Sequence, residues 1–71
     1  NIRCNAVCPG FIATQMTDEL SDKAREEYQK SIPMGDFGSS EDVSNLTLFL
    51  LSQASRYITG EVIKVDGGLY I

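Results

Sequence analysis

The sequence predicts an α/β chain: a strand-helix-helix-strand segment of a parallel sheet, incomplete as a domain. Three observations predict it. An apolar run from Ile2 stops at Pro9-Gly10, a helix apolar over most of its circumference follows at about residues 41–53, and a short strand at residues 61–65 ends in Asp66-Gly67-Gly68. Strands separated by helices in this order form a crossover unit of a parallel sheet, not a closed domain. With 71 residues beginning at Asn1, the chain reads as a piece of something longer or as a processed product. A chain this short buries only about 60% of the surface that its unfolded form exposes.

Residues 1–8 form the first predicted strand, with Ile2, Cys4, Ala6 and Cys8 on one face and Val7 on the other. Apolar residues on both faces near its end suit an interior parallel strand. Pro9 has no amide proton and cannot continue a ladder, and Gly10 tolerates backbone conformations that a Cβ forbids. The strand therefore ends abruptly, leaving bare backbone beyond its carboxyl end, where open α/β sheets bind ligands. Cys4 and Cys8 share a face about 13 Å apart, too far for a disulfide. They read as small buried hydrophobes of a reducing compartment.

Thr17 and Ser21 are each placed to cap a helix, with Asp18, Glu19 and Asp22 favouring a positive helix N-terminus. Residues 21–31 are mostly polar, and only Ala24, Tyr28 and Ile32 mark an apolar line at helical spacing. So polar a helix has little to hold it down and is expected to be mobile and solvent-facing. Pro33 and Gly35 close it. Ser39 and Asp42 have capping-box spacing before the apolar helix. There Val43, Leu46, Thr47, Leu50 and Ala54 form one stripe, and Leu48, Phe49 and Leu51 extend it around the cylinder. Residues 54–60 connect to the last strand, and after its turn Leu69-Tyr70-Ile71 form an apolar tail.

Composition excludes several classes. A net charge of −4 with no basic stripe argues against a nucleic-acid partner. No apolar run approaches the roughly 20 residues that span a bilayer, so no membrane role is expected. With two cysteines and no histidine, there is no metal-ligand cluster. Asp36-Phe37-Gly38 matches the kinase metal-binding triplet by letter, but it lies between a proline and a helix cap with no catalytic-loop motif before it. Asn45-Leu46-Thr47 is a glycosylation sequon in mid-helix, and Lys23 and Lys30 read as solvated helix charges.

Four ordered blocks carry a resemblance: residues 5–14 (Asn-Ala-Val-Cys-Pro-Gly-Phe-Ile-Ala-Thr), residues 35–43 (Gly-Asp-Phe-Gly-Ser-Ser-Glu-Asp-Val), Tyr57-Ile58-Thr59-Gly60-Glu61 and Val65-Asp66-Gly67-Gly68. Together they resemble the C-terminal part of a short-chain dehydrogenase/reductase, most similar to the β-ketoacyl-acyl-carrier-protein reductases. Ile2-Arg3-Cys4-Asn5 and Ile32-Pro33-Met34-Gly35 also resemble their mitochondrial relative, the type 8 17-β-hydroxysteroid dehydrogenase. The resemblance implies a Rossmann-type doubly wound parallel sheet, a nicotinamide cofactor (NADP or NAD), and interconversion of 3-oxoacyl and 3-hydroxyacyl thioesters carried on acyl-carrier protein or coenzyme A in fatty acid synthesis. It implies a homo- or hetero-tetramer in the cytoplasm or mitochondrial matrix.

By the same resemblance, residues 1–14 hold the penultimate strand and the nicotinamide loop, residues 15–34 a substrate lid, residues 35–54 an interface helix, and residues 55–71 the last strand and tail. The cofactor-binding residues it implies are Pro9, Gly10, Phe11, Ile12 and Thr14, with the Ile12 backbone meeting the carboxamide and the Thr14 hydroxyl bonding nearby. It implies no catalytic residue in this stretch. The family's Gly-rich phosphate turn is absent, and its Tyr-x-x-x-Lys matches neither Tyr28 nor Tyr57. Both are expected upstream, as are the residues that choose NADPH over NADH. Ser40 stands where relatives usually have proline, and Asp36 where many have a basic residue. Two alternatives stay open: a non-catalytic truncated interaction module, and a short-chain dehydrogenase acting on another alcohol or ketone such as a sugar, steroid or retinoid.

Overall fold

Ala6 donates its amide to the Glu61 carbonyl at 2.8 Å, and Gly10 donates to Val65 at 2.9 Å. Between these bonds, β1 (Ala6–Pro9) and β2 (Val62–Val65) pair in parallel, Ala6 opposite Val62 and Pro9 opposite Val65. The computed structural model describes residues 1–70, apart from the side chain of Met16; Ile71 of the predicted tail lies outside them. The order is β1, α1 (Gln15–Asp18), α2 (Asp22–Lys30), α3 (Ser40–Leu51), a 3-10 turn (Gln53–Ser55) and β2. The predicted crossover unit is what forms.

The first strand differs from its predicted bounds at both ends. Upstream of Ala6 side chains replace most of the ladder: Cys4 donates its amide to Thr59 Oγ1 at 3.0 Å and accepts the Gly60 amide at its carbonyl at 2.8 Å, and Asn5 Oδ1 accepts the Glu61 amide at 3.0 Å. Pro9 stays in the strand because even-numbered amides face β2 and odd-numbered ones face the opposite edge. Its missing N–H therefore costs no bond to β2.

The parity of β1 also corrects the expectation for its cysteines. Arg3, Asn5 and Val7 are half-buried on the face that α3 covers, whereas Ile2, Cys4, Ala6 and Cys8 are exposed on the other. Both cysteines are free.

Ser39 caps α3 as predicted, its hydroxyl accepting the Asp42 amide at 3.1 Å while Asp42 Oδ2 accepts the Ser39 amide at 2.7 Å. The helix stops at Leu51, two residues early, because Ser52 turns extended (φ −94°, ψ 168°). Its hydroxyl donates to the Phe49 carbonyl at 2.7 Å and accepts the Ala54 amide at 3.2 Å, a local competitor for the next helical turn. Arg3 then closes the helix end, donating to the carbonyls of Leu50 (2.7 Å) and Ile58 (3.0 Å). A cation there suits the negative end of the helix.

Among the described residues only Ile32 and Leu50 are buried apolar side chains. The radius of gyration is 14.4 Å, against about 11 Å for a compact domain of this length. The segment has one covered sheet face and is a part of a parallel sheet, not a closed domain.

Candidate functional site

The predicted site residues all lie where β1 runs out. Pro9 is its last residue, and Gly10 sits against the start of the turn after β2. A Cβ on Gly10 would lie 2.6 Å from Asp66 Cβ and 2.8 Å from Asp66 Cα. Gly10 has no positive φ. The glycine is required by this close approach, not by the special backbone conformation that the sequence suggested.

Beyond Gly10 the loop runs beside Gly38, forming an isolated parallel bridge between Ile12 and Gly38. Gly38 donates its amide to the Phe11 carbonyl at 3.0 Å, and Ala13 donates to the Gly38 carbonyl at 2.8 Å. In a parallel bridge the central residue directs its own N–H and C=O to the opposite edge. Ile12 thus presents one donor and one acceptor away from Gly38. That pair matches a primary carboxamide, which needs one of each.

Phe11 is held by its ring as well as its carbonyl. Its centroid lies 5.0 Å from that of Tyr28 in α2, with planes tilted 52°, and 6.2 Å from Phe37 in an edge-on contact at 79°. Thr14 precedes α1 as its N-cap, which corrects the expectation for Thr17. Thr17 lies inside the turn, where its hydroxyl accepts the Thr14 amide and donates to the Thr14 carbonyl, both at 2.8 Å. Ser21 caps α2 as predicted, accepting the Ala24 amide at 3.2 Å. The apolar line of that helix is present: Ala24 is half-buried, Tyr28 meets Phe11, and Ile32 is buried.

A cleft of about 370 Å³ opens between Met34, Phe37 and Val65, with Asp36, Asp42 and Asp66 in its lining. These carboxylates accept backbone amides. Asp36 takes Phe37 at 3.0 Å, Asp42 takes Ser39, and Asp66 takes Gly68 at 3.0 Å and Tyr70 at 3.3 Å. They build caps and turns. Among the described residues no cluster of His, Cys, Asp or Glu is placed to hold a metal ion.

Sequence reasoning missed two supports of the loop, Gly38 and Asp66. Asp before Gly-Gly is an Asx-turn signal and could have pointed to Asp66. Nothing local pointed to Gly38, whose role comes from a bridge to a residue 26 positions away.

A family profile described as Enoyl-(Acyl carrier protein) reductase matches residues 1–70. The chain is 56% identical over 71 residues to the 3-oxoacyl-[acyl-carrier-protein] reductase FabG of Thermotoga maritima, covering all of this chain and 29% of that protein. Among solved structures it is similar to a 3-oxoacyl-[acyl-carrier protein] reductase from Brucella melitensis, with a TM-score of 0.92, 38% identity, and coverage of 97% of this chain and 26% of that one. It is also similar to YwfH, described as an NADPH-dependent reductase involved in bacilysin biosynthesis, with a TM-score of 0.85, 40% identity, and coverage of 96% and 30%. The chain spans under a third of the length of these relatives.

Proposed function

Because the chain belongs to the enoyl-(acyl carrier protein) reductase family of short-chain dehydrogenases/reductases, we propose that it is the C-terminal part of an NAD(P)-dependent enzyme interconverting 3-oxoacyl and 3-hydroxyacyl thioesters. The observation that carries this reading is the Ile12–Gly38 bridge, which leaves the Ile12 N–H and C=O facing outward at the end of a parallel strand. A nicotinamide held there supplies hydride chemistry. The chain's own part is to bind and orient: Ile12 pairs with the carboxamide, Thr14 adds a hydroxyl, and Gly10 lets the two strand ends close. Orienting the ring selects the face that reacts, which is a positioning contribution. Pro9 and Phe11 complete that wall, and the acid/base groups lie elsewhere in the parent.

Residues 15–34 form the substrate lid in this reading, supported by α2 having no buried side chain. An assembly role for α3 and the last strand is supported by exposed apolar residues: Leu48 (65%), Leu51 (78%) and Val62 (66%). Soluble proteins rarely leave such patches uncovered, and a homo- or hetero-tetramer would cover them. No described helix is long and apolar enough to cross a membrane. In this reading the parent works in the cytoplasm or the mitochondrial matrix.

The test is kinetic. The full-length parent should oxidise NADPH or NADH with a 3-oxoacyl thioester on acyl-carrier protein or coenzyme A. Failure with both cofactors and both carriers would overturn the proposal, and a clear preference for a steroid or sugar ketone would move it to the alternative substrate class.

A further inference from the structure

Phe11 is gripped from two sides by elements with different duties. Its carbonyl accepts the Gly38 amide, and its ring packs on Tyr28 and Phe37. Tyr28 projects from the last turn of α2, which has no buried side chain of its own. Few contacts anchor that helix. Arg25 donates to the Thr17 carbonyl at 2.9 Å, while Ile32 just beyond its last turn is buried, with its Cγ2 2.8 Å from where a Cβ on Gly67 would stand. A helix so lightly held shifts at little cost. When it shifts, Tyr28 is withdrawn from Phe11, and the residue after Phe11 is Ile12.

We propose that the Phe11–Tyr28–Phe37 cluster is a clasp coupling α2 to the Ile12 peptide groups, with Tyr28 as a positioning residue that links substrate binding to cofactor affinity. The proposal rests on the nicotinamide reading of the loop. A ligand that presses α2 down seats Tyr28 on Phe11 and steadies the Gly38 bridge, which keeps the Ile12 donor and acceptor facing outward. By linkage, each ligand then tightens the other by the same factor. One aromatic pair sets that factor at roughly two- to tenfold.

The measurement is the NADPH dissociation constant of the full-length parent, alone and with saturating 3-hydroxybutyryl thioester. These two form a dead-end complex, both being in the reduced state. Wild type should bind NADPH roughly two- to tenfold more tightly with the thioester present. Tyr28→Ala should lose that tightening, and Tyr28→Phe, which keeps the ring, should retain it. If the alanine variant does not fold, Tyr28→Leu carries the same test, filling the volume without the ring geometry. Full tightening in the alanine or leucine variant, loss of it in Tyr28→Phe, or no tightening in wild type overturns the clasp. Absence of NADPH and NADH binding to wild type overturns the cofactor reading beneath it, a separate outcome.

Discussion

Gly10→Ala in the full-length parent puts the loop geometry under direct stress. The new Cβ would lie 2.6 Å from Asp66 Cβ and 2.8 Å from Asp66 Cα, whereas carbon atoms rest at about 3.5–4.0 Å. The strand ends must part by about 1 Å. Part of the clash is with backbone, so rotating a side chain cannot relieve it. A 1 Å displacement also stretches the Gly10–Val65 hydrogen bond from 2.9 Å beyond bonding range. Overpacking costs about 1–3 kcal/mol and the lost bond about 1 kcal/mol, together about 2–4 kcal/mol. For a domain of about 150–250 residues each kcal/mol moves the midpoint by about 2–4 °C, so thermal unfolding should fall by at least about 4 °C. Cofactor affinity should fall with it, because Phe11 and Ile12 follow directly. Because Gly10 has an ordinary φ, the contact alone accounts for the effect. A midpoint within about 1 °C of wild type and an unchanged cofactor dissociation constant would refute the reasoning.

Three further outcomes are expected of the parent enzyme. Thr14→Val should weaken cofactor binding by about 0.5–1.5 kcal/mol, the worth of one neutral hydrogen bond, and unchanged cofactor kinetics would leave Thr14 a helix cap only. Arg3→Met should lower stability by only about 0.5–1.5 kcal/mol, because the Leu50 carbonyl still accepts the Ser55 hydroxyl at 2.9 Å and the Ile58 carbonyl still accepts the Asn5 side-chain amide at 3.3 Å; urea unfolding measures it, and an unmoved midpoint would mean that those two donors alone close the helix end. Phe49→Asp and Leu51→Asp place a charge on the exposed side of α3, and at least one should dissociate the assembly in sedimentation with the subunit fold kept. Intact tetramers from both would put that strip inside the subunit.

Local chemistry made much of the fold legible. Ser39 with Asp42 and Ser21 before Asp22 announce helix starts because a cap is completed within three residues of itself. The Pro9-Gly10 stop and the Asp66-Gly67-Gly68 turn are equally short-range. The failures share a cause. Parity along β1 shows that Cys4 and Cys8 share a face but not which face α3 will cover, and α3 took the side of Arg3, Asn5 and Val7. Thr14 and Thr17 carry the same hydroxyl three residues apart, and it is the Thr17 hydroxyl that bonds within the turn, to the Thr14 backbone. At Gly10 the sequence suggests a special backbone conformation, whereas the constraint comes from Asp66, which lies 56 positions on.

That span has a consequence for how the protein is made. Ala6 pairs with Val62 in parallel, so the ladder closes only after nearly all the intervening chain exists. Closing so long a loop is slow relative to forming α2 or α3. The wall at Gly10 and Ile12 is therefore among the last features to mature, and a ribosome that stalls before Asp66 leaves helices already formed beside a loop with no shape. Cofactor added during refolding should accordingly act late, trapping finished molecules without speeding the early phases.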